Sequence, residues 1–447
     1  MSKINKTNIH VGYKYGLIFG ILILAYVLFG FISYVLPEKP IRTNIRATVE
    51  ANTLPKDYDF VFIQKPQYQL DNFTDAMILN QAYSMGKVGP TEAVMLLPRQ
   101  NYPISATDNL KKTAEEAAPI YAHYGRYWHG STFLTRFFLL FADYAGIRIL
   151  LYIISSLLFV VFFIHIYKIS NWITTLNIAA GFLIGNVFMM QFSLQFFFIL
   201  ALSLIGALWC IDRGERKKDL GIVFLIIGSL SNYFDILTTP ILSLGIMMVP
   251  TILYFSKQNY TLTLLLKKII LFSILWTCGY ALTFLAKWVI ATLLCEENII
   301  QNAIETVLYR TSTEGDMWVK QPYSRWGALI KNTNLIAWPY FCLVLLANLT
   351  YFAIRYFRKT NIQDKNQKTE TRIFNVKNLK ISFLFVIVGL YPYIWYIGAA
   401  NHSFIHWWYT YRGQIVSLIC FMLGFQYLLM SIATEVLPSS KNSKTNV

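Results

Sequence analysis

The sequence predicts an all-α polytopic membrane protein with about ten spans and a long first extracytoplasmic loop. Three observations carry that expectation. The 447 residues are 55% hydrophobic and only 14% charged, whereas soluble domains are about a quarter charged. The apolar residues fall in blocks near the roughly 20 residues that a helix needs to cross about 30 Å of hydrocarbon. Lys and Arg exceed Asp and Glu by 39 to 23, and the excess flanks the blocks. Disorder and an ordinary soluble enzyme are both excluded by this pattern.

Ten blocks qualify, over 16–36, 147–167, 172–190, 192–211, 220–236, 238–256, 269–291, 335–356, 381–400 and 412–434. The first follows Lys3, Lys6 and Lys14 and has no small-residue cleavage site after it. It reads as a retained anchor and not a signal peptide. Two pairs of blocks are divided only by weak breaks, at Met190-Gln191 and around Asp235–Thr239, and these read as tight hairpins. Orientation follows from Lys/Arg bias in the loops. Arg213, Arg216, Lys217 and Lys218 mark one cytoplasmic loop, the 357–380 segment with Lys359, Lys365, Lys368, Arg372, Lys377 and Lys380 marks another, and the tail carries Lys441 and Lys444. Both termini are therefore expected in the cytoplasm, at the cell membrane. The chain is a single transmembrane domain over 1–447, with two outer loops at 37–146 and 295–334.

The first outer loop is too long for a bare connector. Amphipathic helices lying on the membrane are expected at Asp71–Met85 and Asn109–Tyr127, with Pro90–Pro103 irregular. Of the five cysteines, all but Cys295 fall in apolar spans, without CxxC or paired spacing, and read as small core hydrophobes. No Walker motif, GxGxxG or zinc-finger spacing occurs. Topology explains the basic residues better than nucleic acid does, so no nucleic-acid partner is expected.

Four polar clusters map to the outer face. Asp71 and Asp75 stand at i and i+4 of one helix face. They are either a solvated face with Asp71 as N-cap, or a carboxylate poised as a base. Arg126, Tyr127, Trp128 and His129 form the second cluster, readable as an interfacial aromatic belt or as a phosphate and sugar contact. In the third, Asn232 precedes Asp235, a carboxylate between two apolar spans, which is costly there unless paired or facing a wet cavity. Lys287 is a similar case, or it snorkels. The fourth is Asn401-His402-Ser403-Phe404-Ile405-His406 with Tyr411-Arg412. His402 and His406 at i and i+4 have no acidic neighbour in sequence, so metal ligation is not expected. Arg412 suits a lipid-phosphate clamp, and Arg310 offers more charge from the second outer loop. The inner loops lack such mixtures.

This arrangement resembles the GT-C superfamily of integral-membrane glycosyltransferases. The likeness rests on Leu70-Asp71-Asn72-Phe73-Thr74-Asp75-Ala76 in a long first outer loop, on Arg126-Tyr127-Trp128-His129-Gly130 before the next span, and on Asn401–His406 followed by Tyr411-Arg412. The resemblance implies transfer of a sugar from a polyprenyl-phosphate donor to a cell-envelope glycan or lipid acceptor on the extracytoplasmic face. Asp71 or Asp75 would be the base. Arg126, Arg310, Arg412 and Lys287 would bind the donor phosphate. Tyr127, Trp128, His129, Asn232, Asp235, Asn401, His402 and His406 would contact substrate. No cofactor or metal is needed if Arg and Lys neutralise the charge. A transporter or flippase for a lipid-linked sugar is the alternative, and a non-catalytic envelope assembly protein a third.

Overall fold

The computed structural model describes residues 6–116, 121–314, 322–364 and 375–432. The basic tail and part of the 357–380 loop lie outside them. The described chain is almost wholly helical, with one two-stranded pairing, Arg99–Gln100 against Tyr121–Ala122. Among the described residues seven helices are long and apolar enough to cross a membrane: Gly12–Tyr34, Tyr144–Ile169, Leu194–Glu215, Leu262–Leu294, Trp338–Arg358, Val376–Gly398 and Trp407–Ile432. Three shorter apolar helices, Trp172–Ile184, Gly221–Phe234 and Ile241–Ser256, occupy the remaining expected blocks. Both tight breaks are present. A 3-10 segment Val187–Phe192 follows the first short helix, and Asp235 ends the second.

The helices bury their apolar faces unequally. Leu194–Glu215 is the central element, 83% buried in its apolar window, whereas Trp338–Arg358 is 11% buried and presents its side chains outward. Small residues bring two helices into backbone contact. A Cβ on Gly279 would lie 2.2 Å from the Leu225 carbonyl oxygen, and one on Gly228 would lie 2.2 Å from that of Trp276. This reciprocal crossing fixes Leu262–Leu294 against Gly221–Phe234. At the outward-facing helix, Asn348 exchanges amide hydrogen bonds with Asn177 (3.0 and 2.8 Å), and Asn177 also donates to Gln426 at 2.8 Å. A buried amide satisfied by other amides avoids the cost of an unmet polar group in an apolar medium.

The 37–146 segment forms a helical cap on one end of the bundle. It contains Glu38–Glu50, Asn72–Ser84, Pro90–Met95, Ala106–Ala114 and Gly130–Phe138. Three expectations are corrected here. The helix expected to lie on the membrane from Asp71 is instead buried on nearly every side from Asn72 to Ser84, because other cap helices and the N-terminus of Leu194–Glu215 enclose it. The expected Asn109–Tyr127 helix stops at Ala114, where Glu116 turns into a left-handed conformation (φ 61°). The Pro90–Pro103 stretch carries a short helix and the first strand, with Pro90 at a helix start where its missing N–H costs nothing. Cys210 and Cys420 are buried as expected, but Cys278 is exposed at the groove between helices and Cys342 on its helix surface. Arg136 ties cap to bundle: it pairs with Glu38 at 2.5 Å and donates to the Ser33 carbonyl at 3.1 Å and to that of Ala82.

Candidate functional site

Along the Leu262–Leu294 helix, Leu266, Ile270, Ser273, Ile274, Thr277 and Cys278 recur at three- and four-residue intervals and face one cavity of about 890 Å³. Its opposite wall is Ile387, Tyr391, Ile394, Trp395 and Gly398, its floor Leu237, Ile241 and Leu244, and its roof the Ile299–Thr311 helix through Ala303, Thr306, Val307 and Arg310. Leu266 and Trp288 both line it, so at 1.5 Å per residue the wall is roughly 33 Å long. Ile274 and Ile394 are 53% and 66% exposed, which marks a lateral mouth between two long apolar helices. The Ser273 and Tyr391 hydroxyls share a hydrogen bond of 2.8 Å across the groove.

Only Arg126 and Arg310 bring charge to the lining, and both sit at the cap end. Arg126 stacks over Tyr124 at 4.3 Å and Tyr127 at 5.5 Å. The Trp288 indole donates to its carbonyl at 2.9 Å, holding it at the groove wall. Arg310, on the roof helix, contacts His406 Nε2 at 3.2 Å and Asn401 Oδ1 at 3.5 Å. Among the described residues neither guanidinium has a carboxylate within ion-pair distance. Two guanidinium groups without an acid partner above an apolar trough have the chemistry to hold an amphiphile with an anionic head. Tyr127, between them, has its hydroxyl pushed up to about 12 by burial and by Tyr124, against the pull of Arg126 and Arg310.

The three aspartates differ in use. Asp75 accepts from Tyr144 Oη at 2.5 Å, Ser193 Oγ at 3.0 Å and the backbone N–H groups of Leu194 at 3.0 Å and Gln195 at 3.2 Å. It caps the start of the central span from a distant part of the chain, and four donors occupy its oxygens. Asp71 accepts only from Thr74, N–H at 3.1 Å and Oγ1 at 2.8 Å, as N-cap of its own helix. Burial, then the neighbouring Asp75, push its carboxyl up to about 7. Asp235 accepts from the Thr238 hydroxyl and N–H in a tight turn, within which Leu237 has φ 67° and lines the groove. The Tyr409 hydroxyl lies within the fields of Asp71, Arg310 and Asp235 together.

Around Tyr409 the late cluster closes up. The rings of His406 and Tyr409 stack with centroids 5.2 Å apart, and those of His402 and His406 are 5.0 Å apart. His402 faces the Leu237–Thr238 backbone, and burial, then His406 and Arg310, hold its imidazole well below the usual range, so it is neutral. Asn232 is buried with neither side-chain polar atom bonded, and the Asn401 amide nitrogen is likewise unmet. Among the described residues no group of three His, Cys, Asp or Glu side chains is placed to hold a metal.

Of the expected site residues only Arg126, Tyr127 and Arg310 line the groove, and five of the others are held in fixed contacts elsewhere. Lys287 donates to the Val94 and Met95 carbonyls at 3.2 and 2.9 Å, closing the end of the Pro90–Met95 helix. Arg412 donates to the Gln67 carbonyl at 2.9 Å. Trp128 is buried and donates to the Thr283 carbonyl at 2.8 Å. His129 begins the Gly130–Phe138 helix in a left-handed conformation. Its ring contacts the Tyr124 carbonyl at 2.8 Å, and burial lowers it to about 3. Asp75 is the fifth. Sequence reasoning missed Tyr58, whose ring is 5.6 Å from Trp408 and lies in the field of Asp71, and it missed Tyr409. The resemblance implied a lateral groove between spans for a prenyl chain without placing it on particular helices, although Ser273 and Thr277 at i and i+4 within an apolar span were a legible signal. Comparison with protein-family models, with curated proteins and with solved structures finds no match for this chain.

Proposed function

We propose that the protein is a membrane glycosyltransferase that moves a sugar from a polyprenyl-phosphate donor to a cell-envelope glycan or glycolipid acceptor. The reading places the cap outside the cytoplasm and both termini inside, in keeping with the basic loops. The observation that carries it is the long apolar groove ending beneath Arg126 and Arg310. A prenyl tail fits the trough, and its phosphate fits the two guanidinium groups. As the bond between the sugar's anomeric carbon and the phosphate oxygen breaks, those cations stabilise the charge left on the lipid phosphate. The acceptor oxygen bonds to the same carbon and gives its proton to Asp71. A carboxyl with a value near 7 is suited to that exchange. Tyr127, Tyr409, His402, His406, Asn232 and Asn401 supply ring faces and neutral hydrogen-bonding groups for sugars.

The depth of the groove also favours a second reading, a flippase for a lipid-linked sugar. Against it, only Arg126 and Arg310 carry charge along the lining, so a phosphate moving down the trough would leave its counter-charges behind. The deciding experiment is transfer of labelled sugar from a polyprenyl-phosphate donor to acceptor in membranes holding wild type, Asp71→Asn or Arg126→Gln. Loss of transfer with normal protein levels is the expected result. If both variants transfer at the wild-type rate, the reading fails. If none transfers but lipid-linked sugar changes leaflet, the flippase reading replaces it.

A further inference from the structure

Arg412 differs from Arg136, the other arginine buried to the same degree. It is fully buried. Arg136 has Glu38 as its acid, but Arg412 has none among the described residues, and its Nε has no acceptor. Two rings flank it, Phe196 at 5.3 Å and Tyr411 at 5.0 Å. The hydrogen bonds that hold it go to main-chain carbonyls, Gln67 at 2.9 Å and Trp408 at 3.4 Å. A buried guanidinium answered only by carbonyls and ring faces is an expensive arrangement for stability alone.

The Gln67 carbonyl that meets Arg412 belongs to a hairpin. Phe60 pairs with Gln69. Val61 donates to the Tyr68 carbonyl at 3.1 Å, and Leu70 to that of Asp59 at 2.7 Å. The Gln67 carbonyl receives Arg412 Nη2 and also the Asn186 amide at 2.8 Å. One oxygen with two converging donors occupies the place an anionic oxygen would take. The hairpin's other tie to the bundle at this residue is the Gln67 amide on the Leu335 carbonyl at 3.2 Å. Its tip, Phe62 and Ile63, is 64% and 51% exposed. It is bracketed by Tyr58 on one side and runs directly into Asp71 on the other.

We propose that Arg412 is a second anion site, distinct from the groove head, which the hairpin meets through the Gln67 carbonyl and which takes a phosphate or carboxylate group once that carbonyl withdraws. That the anion belongs to the acceptor rests on the proposed glycosyl transfer; the site itself does not. Lifting the hairpin would move Tyr58 and Asp71 together, so an anionic acceptor would set the base as it docks.

The test uses the full chain in detergent with a spin label at Ile63→Cys and the accessible native thiols removed (Cys278→Ser, Cys295→Ser, Cys342→Ser). Inorganic phosphate is the probe, and acetate is the parallel arm. Arg126→Ala with Arg310→Ala removes the groove head. In that background, label mobility is expected to change saturably with phosphate, with acetate, or with both, and the arm that responds names the anion. Arg412→Lys keeps the charge but loses the fork, and should raise the midpoint at least tenfold. Asn186→Gly removes the amide that helps to hold the Gln67 carbonyl in place, leaves the guanidinium intact, does not strain the left-handed backbone (φ 56°), and should lower the midpoint several-fold. A residue that is only a structural clamp predicts no such tightening. No response to either anion, or an unchanged midpoint in Arg412→Lys, overturns the site. If that variant does not fold, the Asn186→Gly midpoint decides. A retained response in a protein without transfer activity removes only the assignment to the acceptor.

Discussion

The head of the groove and the seam that joins cap to bundle are built from the same residue types. The head, taken with the buried Asp71 and Tyr409 that share the field of Arg310, and the seam each hold arginine or lysine, aspartate and large aromatics. In the seam every charge is met by fixed protein groups: Asp75 by four donors, Arg136 by Glu38 and two carbonyls, Lys287 by two carbonyls. At the head, Arg126 and Arg310 meet no acid among the described residues, and Asp71 is held by Thr74 alone. Residue type and burial therefore say little about use. Whether the partners are already present says much more.

The largest effect that could break this contrast is in the seam. Asp75→Ala strands the donors of Tyr144, Ser193, Leu194 and Gln195, and should cost on the order of 3 kcal/mol or more. The check is thermal unfolding in detergent, with Asp75→Asn recovering part of the loss. Next comes Asp71→Asn, which should lower transfer by about 10² to 10⁴, the usual worth of a general base, while the melting temperature holds or rises. Arg126→Gln and Arg310→Gln should each cost roughly tenfold to a hundredfold in transfer, with the unfolding transition unchanged. Smaller again is a pH effect. Asp71 in the folded chain holds its proton to about 7, above the roughly 3.9 of an unfolded Asp. The unfolded chain therefore binds fewer protons between these values, and stability falls as pH rises through the window. Transfer should climb over its upper part as the carboxylate forms. Asp71→Asn should flatten both profiles. The smallest is Lys287→Met, expected to cost about 1–2 kcal/mol of stability and to leave transfer unaltered.

The sequence and the structure agree where the physics is local. Seven helices long enough to cross a membrane and three shorter apolar ones occur at the expected blocks, and Asp71 caps its helix three residues before the N–H it accepts. They part where partners are remote. Asp75 reads as one of a pair of like charges, yet its donors lie 118, 119 and 120 positions away in the chain, and no local pattern reports them. Lys287 likewise reads as a snorkelling cation, although the carbonyls it closes belong to residues nearly two hundred positions earlier. Apart from Ser273 and Thr277, the position of the groove was hidden because apolar residues facing an empty trough and apolar residues facing lipid are identical in sequence. The helix that ends at Ala114 was overextended because the strand pairing of Tyr121 with Gln100 competes for that segment from outside it.

The lateral mouth between Ile274 and Ile394 has a kinetic consequence. A ligand that reaches its site through that gap arrives by two-dimensional diffusion and departs the same way, without passing through water. The concentration that governs turnover is then a mole fraction in the lipid phase. Adding inert lipid or detergent at constant bulk donor would slow the protein, whereas diluting the whole suspension with buffer would not.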